Sequence, residues 1–197
     1  PMNPLIDAAR VPFPSTLAYN AGVTKYQGRY VMVFRNDYGY TKEQMEAHRE
    51  GKGPWPRIRI NLGLAYSKDG YSWEIQRKPV VILPESEDVL RVYDPRLTVI
   101  DGVCHICFAV DTPFGIRGGV ARTEDFSTFE VMSLSSPDNR NMVLFPERVH
   151  GNYVRLERPF PVYGRYDGQE MFDVWYAESP DLRYWGGQKL LLDARNV

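Results

Sequence analysis

An all-β chain built from repeated four-stranded units, the logic of a β-propeller, is the fold class that the sequence predicts. Two repeats and a scarcity of helix predict it. The segments AYSKDGYSW, ARTEDFSTF and AESPDLRYW begin at Ala65, Ala121 and Ala177, a period of 56 residues. Each carries alanine, then serine or threonine two residues on, aspartate at the fifth position and an aromatic at the ninth. That is the pattern of a strand leaving its pleat at Ser/Thr, an Asp-stabilised turn, and an aromatic anchoring the returning strand. A second repeat precedes the first: NAGVTKYQGRYVMVF (20–34) aligns with DPRLTVIDGVCHICF (94–108), and FPERVHGNYVRLE (145–157) is a shorter third copy.

In chain order, residues 20–34 read as strand, turn at Gly28 and alternating strand. The segment TKEQMEAHRE (41–50) is the one good helix candidate, ended by GKGPWP, an excursion whose charges form a solvated face. The Ala65 hairpin completes the first unit. The hairpin turning at Gly102 and the Ala121 hairpin make the second, and the hairpin turning at Gly151 and the Ala177 hairpin the third. Four strands in units of about 50 to 60 residues are the grammar of a propeller blade. Fifteen prolines and sixteen glycines suit such a turn-dense chain better than a helical one.

Composition narrows the function. A net charge of −1 without a Lys/Arg-rich run argues against nucleic acid. No apolar run approaches a membrane span, and no leader pattern is visible, so a cytoplasmic protein is expected. Cys104 and Cys107 fall in a strand-like stretch where positions three apart face opposite sides, so they are expected as unpaired core cysteines. His48, His105 and His150 lack metal-ligand spacing, and no metal or cofactor is expected.

In a propeller the first strand of each blade lines the axis, and its leading end faces the central funnel. Asn20 and Asp94 hold equivalent places there. Asp94 is flanked by Tyr93 and Pro95, with Arg91 and Arg96 close by, and a cation beside a carboxylate favours its charged form. Asp138, Asn139, Arg140 and Asn141 precede another strand, and Arg155 and Arg158 lie on the next. Inter-blade salt bridges are the bland account of these arginines. The other account is chemical: an acid beside two rigid guanidinium forks suits glycoside cleavage in which an anion, phosphate, replaces the hydrolytic water. Phosphate arrives charged and needs only to be neutralised and aimed.

The stretches INLGLAYSKDGYSW, YDPRLTVIDG, GIRGGVARTEDF, PDNRNMVLFPE, YVRLERPFPVY and SPDLRYWG together resemble glycoside hydrolase family 130, the β-mannoside phosphorylases, and look closest to its 4-O-β-D-mannosyl-D-glucose phosphorylase branch. The resemblance implies a five-bladed β-propeller, of which residues 1–197 would form about three blades of one domain, the N-terminal part. It implies inverting phosphorolysis of β-1,4-mannosides to α-D-mannose 1-phosphate, with inorganic phosphate as co-substrate and no cofactor. Asp94 matches the family's catalytic aspartate, which protonates the glycosidic oxygen through a mannose hydroxyl. Arg140, Asn141 and Arg158 match its phosphate ligands, and Asn20 and Tyr93 its sugar contacts. Arg59 is the expected substrate-site arginine, with Arg57 and Arg35 as rivals. A homo-oligomer is implied as well.

Two other readings remain open. A β-mannosidase of the same fold would need a carboxylate base, for which Glu147 and Glu157 stand nearest in sequence. A non-catalytic carbohydrate-binding propeller would use its tyrosines and tryptophans and tolerate loss of Asp94. Trp73, Phe129 and Trp185 recur with the 56-residue period and read as inter-blade core, with Asp69, Asp125 and Asp181 as turn acids. Trp55 is less constrained and is a candidate for the acceptor subsite.

Overall fold

The structure, a computed structural model, describes residues 4–160 and 172–194. Three antiparallel units follow one another. Blade 1 comprises β1 (Leu17–Tyr26), β2 (Arg29–Tyr38), β3 (Arg59–Ser67) and the short β4 (Glu74–Ile75). Blade 2 comprises β5 (Arg91–Ile100), β6 (Val103–Thr112), β7 (Gly115–Thr123) and β8 (Glu130–Leu134). Blade 3 comprises β9 (Asn139–Leu144), β10 (Tyr153–Pro159), β11 (Val174–Ser179) and β12 (Gly186–Leu192). A parallel bridge between Arg117 and Asn139 joins the second and third into a continuous sheet. The expected all-β propeller architecture with about three blades is therefore present.

The core lies between blades. Val31, Val33, Leu62 and Leu64 of blade 1 pack against Leu97, Ile106, Phe108 and Val110 of blade 2. Ile100, Cys107 and Val120 of blade 2 pack against Met142, Leu144 and Leu182 of blade 3. Strand alternation explains the cysteines: Cys104 joins the first interface and Cys107 the second, both as free thiols. Burial pushes each thiol up to about 12, so both act as small apolar side chains.

The 56-residue repeat is a turn with a shared hydrogen-bond plan. Asp69 accepts the backbone N–H groups of Tyr71 and Ser72 and the hydroxyl of Ser67. Asp125 and Asp181 do the same with Ser127 and Thr128, and with Arg183 and Tyr184. The next position is left-handed in every copy: Gly70, Phe126 and Leu182 have φ of 79°, 60° and 67°. For a non-glycine residue that backbone costs roughly 1–2 kcal/mol. Phe126 and Leu182 offset it by inserting almost fully into the two inter-blade cores, worth about 1.5–3 kcal/mol each. The aromatic at the ninth position is buried as Trp73 in blade 1, whereas Phe129 and Trp185 are half-buried supports of those cores.

The excursion between β2 and β3 holds α1 (Lys42–Arg49), started by a capping box in which Thr41 and Gln44 bond each other's backbone N–H. Among the described residues, no helix is long and apolar enough to cross a membrane.

Candidate active site at the blade heads

One backbone device recurs at the leading end of each first strand. In β1 the pairing with β2 slips between Tyr19 and Gly22, leaving Asn20 and Ala21 in a bulge. In β5 it slips between Tyr93 and Arg96, leaving Asp94 and Pro95. In blade 3 the pairing of β9 with β10 slips between Arg140 and Val143, leaving Asn141 and Met142 opposite the single residue Glu157. The first bulge residue is left-handed each time, with φ of 48° at Asn20, 53° at Asp94 and 59° at Asn141. Asn and Asp tolerate this conformation better than other side-chain-bearing residues, and a bulge re-aims a side chain that the pleat would otherwise direct. Three sequence-chosen residues thus share one local geometry.

The first two of them meet. Asn20 Nδ2 donates to Asp94 Oδ1 at 2.9 Å, and Arg35 Nη1 lies 3.5 Å from the same oxygen. Arg35 is held on every side. Its Nε and Nη2 donate to Asp37 at 2.7 and 3.0 Å, and its guanidinium lies 4.9 Å from the ring centres of both Tyr19 and Tyr93. Burial opposes its charge, but the hydrogen bond to Asp37 and the charges of Asp37, Tyr19 and Asp94 outweigh that and raise its pKa. Tyr19 in turn donates to Asp37 at 2.7 Å, and burial with that bond pushes its phenol well above the ordinary range.

Arg35, which the sequence offered only as a rival, is the arginine at the acid. Arg59 opens β3 opposite Tyr38 and is exposed, and its side chain makes no hydrogen bond or ion pair with the described residues. The two cations that flank Asp94 in sequence serve other partners. Arg91 bridges to Asp111 at 2.5 Å, and Arg96 donates to the carbonyls of Pro95 and Asn20 at 2.8 and 3.5 Å. Strict alternation would set Arg96 on the face of Asp94, and the bulge between them breaks that alternation.

Tyr93 links this cluster to a second one. Its hydroxyl donates to Asp111 at 2.6 Å and accepts from Arg140 Nη1 at 3.4 Å. Burial, then the Asp111 bond, pushes its phenol up to about 12, so it stays a neutral donor. Arg140 and Arg158 are cross-strand partners on β9 and β10, and each packs its guanidinium on a ring: Phe160 at 5.5 Å and Phe172 at 4.6 Å. Neither has a carboxylate partner among the described residues, and the buried Nε–H of each is unbonded. Burial, and then the charge of Arg140, lowers the pKa of Arg158. Two like charges held together with unused donors can take up an anion. Asn141, exposed, heads the same strand.

The acids considered as alternative bases are elsewhere. Glu157 is buried in a bidentate pair with Arg155, whose Nε and Nη2 both reach Oε2 at 2.7 Å. Glu147 is exposed in the β9–β10 turn, at the opposite end of those strands from Arg140 and Arg158.

Comparison with known proteins now decides the family. A profile described as beta-1,4-mannooligosaccharide phosphorylase matches residues 10–196. The chain belongs to glycoside hydrolase family 130. Among curated family relatives, the β-1,2-mannobiose phosphorylase of Listeria innocua is 31% identical over 136 residues, covering 68% of this chain and 37% of that protein. The β-1,4-mannooligosaccharide phosphorylase of Ruminococcus albus is 30% identical over 195 residues, covering 93% of this chain and 51% of that one. The chain thus spans about half or less of the length of these relatives. The solved structure of the Listeria innocua enzyme with β-1,2-mannobiose superposes with a TM-score of 0.76 at 24% identity, covering 96% of this chain and 64% of that one. Family 130 and the five-bladed propeller fold are therefore both in hand, and the chain accounts for three of those blades.

Proposed function

We propose that the protein is an inverting β-1,4-mannoside phosphorylase, with Asp94 as general acid and Arg140, Asn141 and Arg158 holding phosphate. The observation that carries this reading is the facing pair Arg140 and Arg158, with buried donors unused by any described carboxylate. A hydrolase would need a carboxylate base there, and the nearest acid on β10, Glu157, is committed to Arg155. The alternative of inter-blade salt bridges suits Arg148 and Arg183, which reach Asp101 and Glu130 of blade 2, and does not suit this pair.

In this reading phosphate attacks the anomeric carbon of the mannose from the arginine side as the bond to the leaving oxygen breaks on the other. The leaving oxygen takes up a proton from Asp94, relayed by a mannose hydroxyl, and mannose leaves as the α-1-phosphate. Asn20 and Arg35 fix the carboxylate, while Tyr93 keeps acid and anion sites in register through its two hydroxyl bonds. The β-1,4 linkage rests on the profile description and the Ruminococcus albus relative, since the Listeria innocua relative is named for a β-1,2 substrate.

The test is release of mannose 1-phosphate from β-1,4-mannosyl-glucose and β-1,4-mannobiose, with and without inorganic phosphate. Phosphate-dependent product that is lost in Arg140→Ala and Asp94→Asn is expected. Free mannose released without phosphate would make the protein a hydrolase, and sugar binding without turnover that survives Asp94→Asn would make it a lectin.

A further inference from the structure

Two large aromatic side chains stand in solvent: Trp55 is 64% and Phe114 75% exposed. They occupy equivalent places. Each lies in the connection from the second to the third strand of its blade, Trp55 between β2 and β3 and Phe114 between β6 and β7. Strand direction puts both connections at the end where Asn20 and Asp94 sit. Tyr93 pairs with Ala109, and Thr112 ends β6 three residues on, roughly 10 Å further out.

Neither ring hangs on a loose loop. The His48 ring packs edge-on to Trp55 with centroids 4.8 Å apart, and His48 Nδ1 lies 3.2 Å from the Gly53 carbonyl, tying the loop back to α1. In the other turn, Thr112 Oγ1 accepts from Phe114 N at 3.2 Å and donates to the Gly115 carbonyl at 2.7 Å. Gly115 adopts φ 114°, and a Cβ there would lie 2.9 Å from Asp138 Oδ1, so the turn is pressed against the start of blade 3. The Trp55 ring and the backbone that carries Phe114 are thus already held by the fold, which limits the freedom lost when a flat apolar face stacks on them.

We infer that Trp55 and Phe114 form the acceptor side of the site, stacking on the C–H faces of the glucose or mannose units beyond the scissile bond. This rests on the phosphorylase reading above. Asp94 and the arginines handle the mannose that is transferred and its phosphate. A saccharide longer than one unit then extends toward the strand ends that carry the two rings. Trp55 and Phe114 then set which acceptors and what chain length are used.

The experiment runs the reaction in the synthetic direction, with mannose 1-phosphate as donor and glucose or β-1,4-mannobiose as acceptor. Trp55→Ala and Phe114→Ala are each expected to raise the acceptor KM about tenfold, the loss of one buried ring face, while the KM for mannose 1-phosphate stays within twofold. Trp55→Phe and Phe114→Tyr, which keep a ring, should recover most of it. An unchanged acceptor KM in both alanine variants overturns the inference, as does an equal rise for mannose 1-phosphate. A binding measurement separates this from the reaction itself: β-1,4-mannotriose is titrated against intrinsic tryptophan fluorescence. A saturable change lost in Trp55→Ala upholds the platform even where no mannoside is synthesised, and no change in the wild-type protein sinks it.

Discussion

Asn20 and Asp94 lie 74 positions apart in the chain, yet the amide of one donates to the carboxylate of the other across 2.9 Å. The contact exists because adjacent first strands carry the same bulge at the same height. It gives the acid a neutral donor that orients it, with Arg35 as a more distant cation at 3.5 Å. Replacing Asn20 with Asp would set two carboxylates in hydrogen-bond contact, where one must hold a proton. The alkaline limb of the kcat/KM profile is expected to move to higher pH. A superposable profile would mean that the residue at 20 does not act on the acid.

Gly22 supports the same alignment by leaving room. A Cβ there would lie 2.8 Å from the Pro95 carbonyl oxygen and 2.9 Å from both Arg96 Cα and Leu97 N, all backbone atoms that cannot rotate away. Gly22→Ala must push β1 off β5 next to Asp94. Overpacking of this kind costs about 1–3 kcal/mol of stability, and displacement near 1 Å at the acid lowers turnover by about a hundredfold. Steady-state kinetics beside a thermal melt would show both, and wild-type activity in a folded variant would contradict the close approach.

Arg155 and Glu157, each about 5% exposed at the side chain, neutralise one another beside the Trp185 ring, 4.1 Å from the guanidinium. Burial lowers the arginine's pKa even with its partner present. Glu157→Ala strands a buried cation and is expected to cost about 3–5 kcal/mol in chemical denaturation. If Glu157 were instead a hydrolytic base, the variant would lose activity without that loss of stability.

The turn acids predict an acid-sensitive fold. Bonds from the Ser72 and Tyr71 backbone and then the Ser67 hydroxyl hold Asp69 down from 3.8 to about 2, and the bonds within their own turns lower Asp125 and Asp181 likewise. A carboxylate whose folded value lies below its unfolded one stabilises fully above about pH 4, the unfolded value, and ceases to do so as the folded value is passed near pH 2. The gap in urea midpoint between wild type and Asp69→Asn should therefore be widest near neutrality and close on acidification. A gap independent of pH would assign the loss to packing.

Much of this was legible in the chain. The 56-residue period marked the turns because Asp and Ser/Thr are chosen there by short-range hydrogen bonds, which leave a local imprint. The segment 41–50 is likewise legible as a helix, although its Thr41–Gln44 capping box emerges only in the structure. Long-range choices left less. Position six of the turn looked unpatterned as Gly70, Phe126 and Leu182, although all three share a left-handed backbone, because glycine solves the conformational problem and the others bury a side chain to offset it. The sequence does not distinguish Arg35 from Arg59, because nothing in an alternating strand says which end faces the acid. That depends on the bulge, whose only trace is an Asn or Asp preceding the strand's apolar run.

The shared bulge also makes the blade heads interchangeable sockets. Asn20, Asp94 and Asn141 differ by little more than an amide for a carboxylate on one backbone shape. Exchanging Asn20→Asp with Asp94→Asn thus moves a carboxylate from one first strand to the next with no change of fold. A repeat of such blades supplies these sockets ready-made, on a scaffold whose cores and turns stay as they are.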